Sequence, residues 1–305
     1  MNYNLAKGDK VMKQCIFCRK YKEDNEFNRE HIILDSLGGS GCEDICVNVC
    51  ILCNSSLGTR VDACLMNHEI TKYIRYSLKI KGRNGVPNPF KKMKFNYADT
   101  PFVGELQTDK RGNISGFRAD HGVYKLDGKT IIVGPRKNFD GYVNSQRKSK
   151  NLPLLSKEEI IKNTFHFRDS QIPHINIVEI PDEMKNEYIY FAFPTMLKMA
   201  YEFCFIKLGE EYLDDPLATE IRAFLMEFDY KKQRQYFCPT DTVYEWIDTK
   251  DNFISISLYT EDNKLYVKIE LYGLIMYDIC MSETASEYKT IEKSTLKIDI
   301  NRIER

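Results

Sequence analysis

Two Cys-x-x-Cys pairs, Cys15/Cys18 and Cys50/Cys53, stand on either side of the dipeptide Glu30-His31. Thiolates at this spacing are zinc ligands: each two-residue turn aims two sulfurs at one ion, and two such turns complete a tetrahedron. The ion would tie two distant pieces of chain together and hold the stretch between them in fixed geometry. That stretch contains a carboxylate, an imidazole and the Gly38-Gly39 turn, and Asn54 directly follows the last cysteine. A neutral imidazole is a suitable general base near pH 7. A carboxylate and an amide oxygen are ligands for a hard divalent cation. The pattern reads as a built site and not only as a staple.

The first piece of this pattern is Cys15-Ile16-Phe17-Cys18. The second is Glu30-His31-Ile32-Ile33-Leu34-Asp35-Ser36-Leu37-Gly38-Gly39, and the third runs Cys50-Ile51-Leu52-Cys53-Asn54-Ser55-Ser56-Leu57-Gly58-Thr59-Arg60-Val61-Asp62. In this order they resemble the zinc-stapled subgroup of the HNH endonucleases, which use a ββα-metal fold. The resemblance implies hydrolysis of phosphodiester bonds in DNA, with RNA left open. It also implies that His31 activates water and that Glu30 and Asn54 hold one catalytic Mg²⁺ or Mn²⁺. Cys15, Cys18, Cys50 and Cys53 then hold a structural Zn²⁺, and Asn48 is the candidate for orienting the base. Two positions depart from the family pattern: Leu34 stands in place of Pro, and Asn54 in place of the last His. An amide oxygen also binds Mg²⁺, so Asn54 is an acceptable substitute.

Other readings stay open at this level. The four cysteines could form a purely structural zinc ribbon. The chain could be a catalytically inactive, zinc-dependent nucleic-acid-binding protein derived from an HNH nuclease, or an adaptor whose zinc unit only scaffolds a surface. Cys42 and Cys46 are alternative zinc ligands at poorer spacing, and Asp62 and His68 are alternative ligands for the catalytic ion that read first as ordinary helix-surface residues.

Charge separates these readings only locally. The 44 Lys and Arg balance 44 Asp and Glu, so no whole-protein attraction to nucleic acid is expected. The stretch from Glu69 to Lys94, however, carries Lys72, Arg75, Lys79, Lys81, Arg83, Lys91, Lys92 and Lys94. Of these, Lys72, Arg75, Lys79, Lys81 and Arg83 are the candidate nucleic-acid contacts, because cations beside a nuclease site can follow a phosphate backbone. The residues after Met1 show no secretory signal, and no apolar run reaches the roughly 20 residues of a membrane span. No membrane association and a reducing cytoplasm are therefore expected.

The pattern predicts an α+β fold: an N-terminal ββα-metal zinc module over 13–80, a β-rich extension and basic linker over 81–150, and an α+β domain over 151–305. Within the first, a short strand is expected over 30–34 and one helix from about 54 to 79. Residues 81–89 read as a mobile loop, short strands are expected over 93–135, and 138–150 read as an exposed linker. In the second half, strands are expected at 175–180 and 188–192 and a helix from Pro194 to Gly209. A second helix is expected over 217–228, and a hairpin over 253–259 and 265–277. This half carries no motif tied to chemistry; His166 and His174 read as structural. Target choice, homo-oligomerisation or control of activity are expected to reside there.

Overall fold

The computed structural model describes residues 12–39, 45–82, 85–91, 93–97, 100–108, 114–126, 128–164, 182–231, 239–247, 253–288 and 294–299. Two short antiparallel strands, β1 (Met12–Gln14) and β2 (Tyr21–Glu23), bracket the first cysteine turn. A second antiparallel pair comes next, β3 (Phe27–His31) and β4 (Ile45–Cys50), with a register shift between Asn28 and Glu30. From β4 the chain enters helix α1 (Ile51–Leu57), passes through a wide π turn at Gly58–Asp62, and continues as α2 (Ala63–Asn67) and α3 (Glu69–Ser77).

The helix expected to run unbroken to about residue 79 is thus interrupted twice. His68 leaves helical geometry with ψ at 140°. Its Nδ1 accepts from the Ile70 amide at 3.3 Å, and its ring packs on Tyr188 and Phe191 at 4.9 and 5.5 Å. His68 is therefore a helix cap and not a surface residue. The π turn inserts one residue into the helical repeat and so rotates the helix beyond it. Val61 and Asp62 are buried in consequence.

Residues 88–179 form a compact unit of their own. It holds a three-stranded sheet, β5 (Met93–Tyr97), β6 (Thr100–Thr108) and β7 (Ile114–Ala119), and a hairpin of β8 (Gly122–Leu126) and β9 (Lys129–Val133). The expected linker at 138–150 is instead helix α4 (Phe139–Ser149), followed by α5 (Lys157–Lys162). Its Tyr142 stacks on His121 at 4.7 Å, which gives the segment a packed face that its polar composition hides.

The residues expected to stand apart as a C-terminal domain share one unit with the zinc module, residues 1–87 together with 180–305. Helix α6 (Asp182–Leu208) runs through the centre of that unit. It packs on α2 and the π turn on one side, and on β12 (Lys264–Leu271) and β13 (Ile275–Ser282) on the other. A helix that is apolar all round belongs in a core. Ala192, Met196, Leu197, Met199, Ala200, Phe203 and Cys204 are fully buried. The stretch from Tyr188 is long and apolar enough to cross a membrane by composition alone, yet 78 % of its most apolar window is buried inside the protein.

The strand expected at 188–192 is part of this helix, and Pro194 lies inside it instead of opening it. Tyr188, Ile189, Ala192 and Phe193 are buried at helical spacing, so tertiary packing overrides their β-propensity. Pro194 has no amide hydrogen and so cannot make the usual helical bond to the carbonyl four residues back, at Tyr190. Gly209, with φ at 79°, closes the helix as expected. The expected strand at 175–180 lies outside the described residues.

Helix α7 (Pro216–Glu227) comes next, capped by Asp215. The unit ends in an antiparallel sheet of order β10-β13-β12-β11-β14, completed by β10 (Thr242–Trp246), β11 (Phe253–Glu261) and β14 (Ser294–Asp299). Its hairpin turns at Asp262-Asn263, both at positive φ, which is the geometry of a tight two-residue turn. The second expected strand is split at Tyr272-Gly273 into β12 and β13. Alternate residues of β12 face the core: Leu265, Val267, Ile269 and Leu271 are all fully buried.

Candidate active site

The four sulfurs of Cys15, Cys18, Cys50 and Cys53 lie within 4.8 Å of one another. Tetrahedral zinc with thiolate ligands needs sulfurs about 3.8 Å apart, so the cluster fits the ion. The Cys50 amide donates to the Cys15 sulfur at 3.4 Å, and the Ile16 amide donates to the Asn48 carbonyl at 3.0 Å. These bonds join the two cysteine turns before any metal is considered. The Cys15 thiol is drawn down to about 4, chiefly by the hydrogen bond from Cys53. The same bond pushes Cys53 up, and burial raises Cys18. One thiolate is thus favoured by the protein alone, and a zinc ion would take all four. Cys46 is buried but is not part of the cluster, and Cys42 lies outside the described residues.

Glu30 and His31 are the last two residues of β3 and point to opposite sides of it. The Gly38-Gly39 turn holds the chain just beyond them. Gly38 is left-handed with φ at 109°, which only Gly adopts readily. Gly39 donates to the Leu34 carbonyl at 3.0 Å, and a Cβ on it would overlap the Ile33 carbonyl. Both glycines are therefore required by backbone geometry.

The imidazole of His31 is 25 % exposed. Its Nδ1 is sealed from solvent without a hydrogen bond and lies 3.5 Å from Asp35 Oδ1. The solvent-facing part of the ring is thus away from Nδ1. Asn48, the candidate for orienting the base, is half-buried on β4, where its backbone carbonyl serves Ile16. Asp35 is the acidic group the structure brings to the ring.

The Glu30 carboxylate is buried. Its Oε1 accepts from Lys198 Nζ at 2.6 Å, and the same ammonium donates to Asp62 Oδ2 at 2.8 Å. Asp62, expected on a helix surface, is therefore an interior ion-pair partner, delivered there by the π turn. Asn54 on α1 donates through Nδ2 to Asn28 Oδ1 at 3.1 Å, which leaves its carbonyl oxygen as a donor to a cation. The donor set of Glu30 and Asn54 is all oxygen, which suits a hard cation such as Mg²⁺ or Mn²⁺.

The expected basic stripe is only partly exposed. Arg75 is buried, with its guanidinium against Gly82, and burial lowers its pKa; it is not available to a phosphate backbone. Lys72 is half-buried and bonded to Glu69 at 2.7 Å. Lys79 and Lys81 are exposed, and Arg83 lies outside the described residues. Lys198 and Tyr201 belong to no motif: each lies more than a hundred residues from the cysteine turns, in a segment without one.

Residues 15–70 match the family model of the HNH endonucleases. This stretch is an HNH-family domain, and it contains the four-cysteine cluster, Glu30-His31 and Asn54. Searches of curated proteins and of solved structures found no match.

Proposed function

We propose that the chain is a metal-dependent endonuclease that hydrolyses phosphodiester bonds in DNA, with His31 as the general base. The observation that carries this reading is the placement of Glu30-His31 at the end of β3, beside the strand that leads through the zinc cluster into the helix bearing Asn54. His31 takes the proton of the attacking water on its solvent-facing side, with the Asp35 carboxylate 3.5 Å from its Nδ1. Glu30 and Asn54 would hold the catalytic Mg²⁺ or Mn²⁺, which supplies charge stabilisation at the scissile phosphate. Zinc, held by the four cysteines, keeps β4 and α1 in place. Exposed Lys79 and Lys81 provide the nearby phosphate contacts, and the reducing cytoplasm is the proposed compartment.

A plasmid cleavage assay with Mg²⁺ or Mn²⁺ tests this directly. Cleavage by the wild type that disappears in His31→Ala supports it. Equal cleavage by both proteins at matched purity rules His31 out, and no cleavage by the wild type leaves the inactive nucleic-acid-binding reading in its place.

A further inference from the structure

A lysine is almost never fully buried unless it is paired, and Lys198 has no exposed surface. Its Nζ sits between Glu30 Oε1 at 2.6 Å and Asp62 Oδ2 at 2.8 Å, with Glu202 Oε1 at 4.0 Å. Neither oxygen of Glu202 has a hydrogen-bond partner, and burial raises its carboxyl well above the usual range. The ammonium makes its hydrogen bonds to the two nearer carboxylates, Glu30 and Asp62.

The helix that carries Lys198 is itself fixed against the HNH domain. Thr195 Oγ1 donates to the Val61 carbonyl at 3.2 Å. The Tyr201 hydroxyl donates to the Ile16 carbonyl at 3.0 Å, and Thr71 Oγ1 donates to the Tyr188 hydroxyl at 3.1 Å. Residues 188, 195, 198 and 201 follow a helical repeat and share one side of α6. Sliding the helix would leave several buried polar groups unpaired at once, a cost the core does not tolerate. The helix that carries Lys198 is thus anchored beside the strand that carries Glu30. Lys198 holds one oxygen of Glu30, while no donor among the described residues reaches Oε2.

We propose that Lys198 is a positioning residue for catalysis, holding the Glu30 carboxylate by one oxygen so that the other is presented to the catalytic cation. This rests on the nuclease reading of the site. Lys198 touches neither substrate nor cation and acts only through Glu30. It also makes the HNH domain dependent on a helix 168 residues away in sequence. Removing the outer partner of a metal-binding carboxylate generally costs about 10–100-fold in metal affinity or activity.

The test uses the full-length, zinc-loaded protein as wild type, Lys198→Met, Lys198→Met/Asp62→Asn and Lys198→Arg. The double variant removes an acid together with the ammonium, so less uncompensated charge is buried. Lys198→Arg keeps the charge, but its planar head cannot reproduce a point charge between two carboxylates. Zinc content and circular dichroism establish which variants fold. Two readouts are then taken: the Mn²⁺ concentration that half-saturates plasmid cleavage, and Mn²⁺ binding without DNA, from the resonance signal of free Mn²⁺. The expected result is a half-saturating Mn²⁺ raised about 10–100-fold in the Met variants and several-fold in Lys198→Arg, with a smaller change in rate at saturating Mn²⁺. Unchanged or tighter Mn²⁺ dependence in any variant that folds overturns the proposal. A wild type that neither binds Mn²⁺ nor cleaves removes the nuclease reading instead, and this inference with it.

Discussion

The hydroxyl of Tyr201, in the C-terminal third of the core helix, donates to the carbonyl of Ile16 between the first two cysteines of the cluster, at 3.0 Å. Both residues are fully buried, so no water can replace this donor. Tyr201→Phe keeps the ring and removes only the hydroxyl. The expected loss is about 1–3 kcal/mol, the cost of leaving a buried carbonyl unsatisfied. Denaturant unfolding at fixed zinc measures it, and a loss near zero would mean that the Ile16 carbonyl finds another partner.

His31→Ala should leave folding and zinc content as in the wild type, because the ring is partly exposed and its Nδ1 makes no hydrogen bond. Cleavage should fall by about 10²-fold or more, in the range set by loss of a general base. A single-turnover assay on supercoiled plasmid measures the fall. A variant that also loses zinc would show that the ring has a structural role.

Cys50→Ser should release the zinc. The residue joins β4 to α1, and its amide bonds to the Cys15 sulfur, so both cysteine turns loosen together. Binding of a structural zinc is worth roughly 10 kcal/mol or more to a small zinc unit. The variant should therefore show less than one zinc per chain and a lower unfolding midpoint, by metal analysis and thermal melting. Chelation of the wild type should reproduce both effects, and retention of a full equivalent of zinc by the variant would reassign the ligands.

Gly39→Ala places a methyl group inside the Ile33 carbonyl, a backbone atom that cannot swing aside. The strand end carrying Glu30 and His31 must then shift. A positional error of about 1 Å at a catalytic group can cost about 100-fold in rate. The expected outcome is a folded, zinc-containing protein of sharply reduced cleavage, and full activity would mean that the turn relaxes outward.

The site is legible in the sequence as far as its parts are close in the chain. Cysteine turns, Glu30-His31, the glycine pair and Asn54 occupy one short stretch, and their chemistry is carried by residue type and spacing. Asp62 escapes such a reading because a regular helical repeat puts it on the surface, whereas the π turn over Gly58–Asp62 rotates it inward. Arg75 escapes it for the opposite reason: its charge suggests solvent, but its place on α3 faces Gly82 and the interior. Residues 188–192 are rich in the aromatic side chains that favour strands, and only the partners on both sides of α6 make them helical. Lys198 is invisible because a lysine in an apolar run gives no sign of which distant carboxylates will meet it.

The interleaving of the unit also sets a timetable for the nascent chain. Ile16 and Tyr201 are separated by 185 residues, and residues 88–179 form their own unit in between. At a synthesis rate of about 5–20 residues per second, the cysteine turns wait roughly ten to forty seconds on the ribosome before their covering helix emerges. During that interval Glu30 has no ammonium to meet, and the apolar faces later sealed by α6 are open to solvent. Zinc captured early would let the first segment keep its shape until the rest of its core arrives, and metal-starved translation is where misfolding should first be seen.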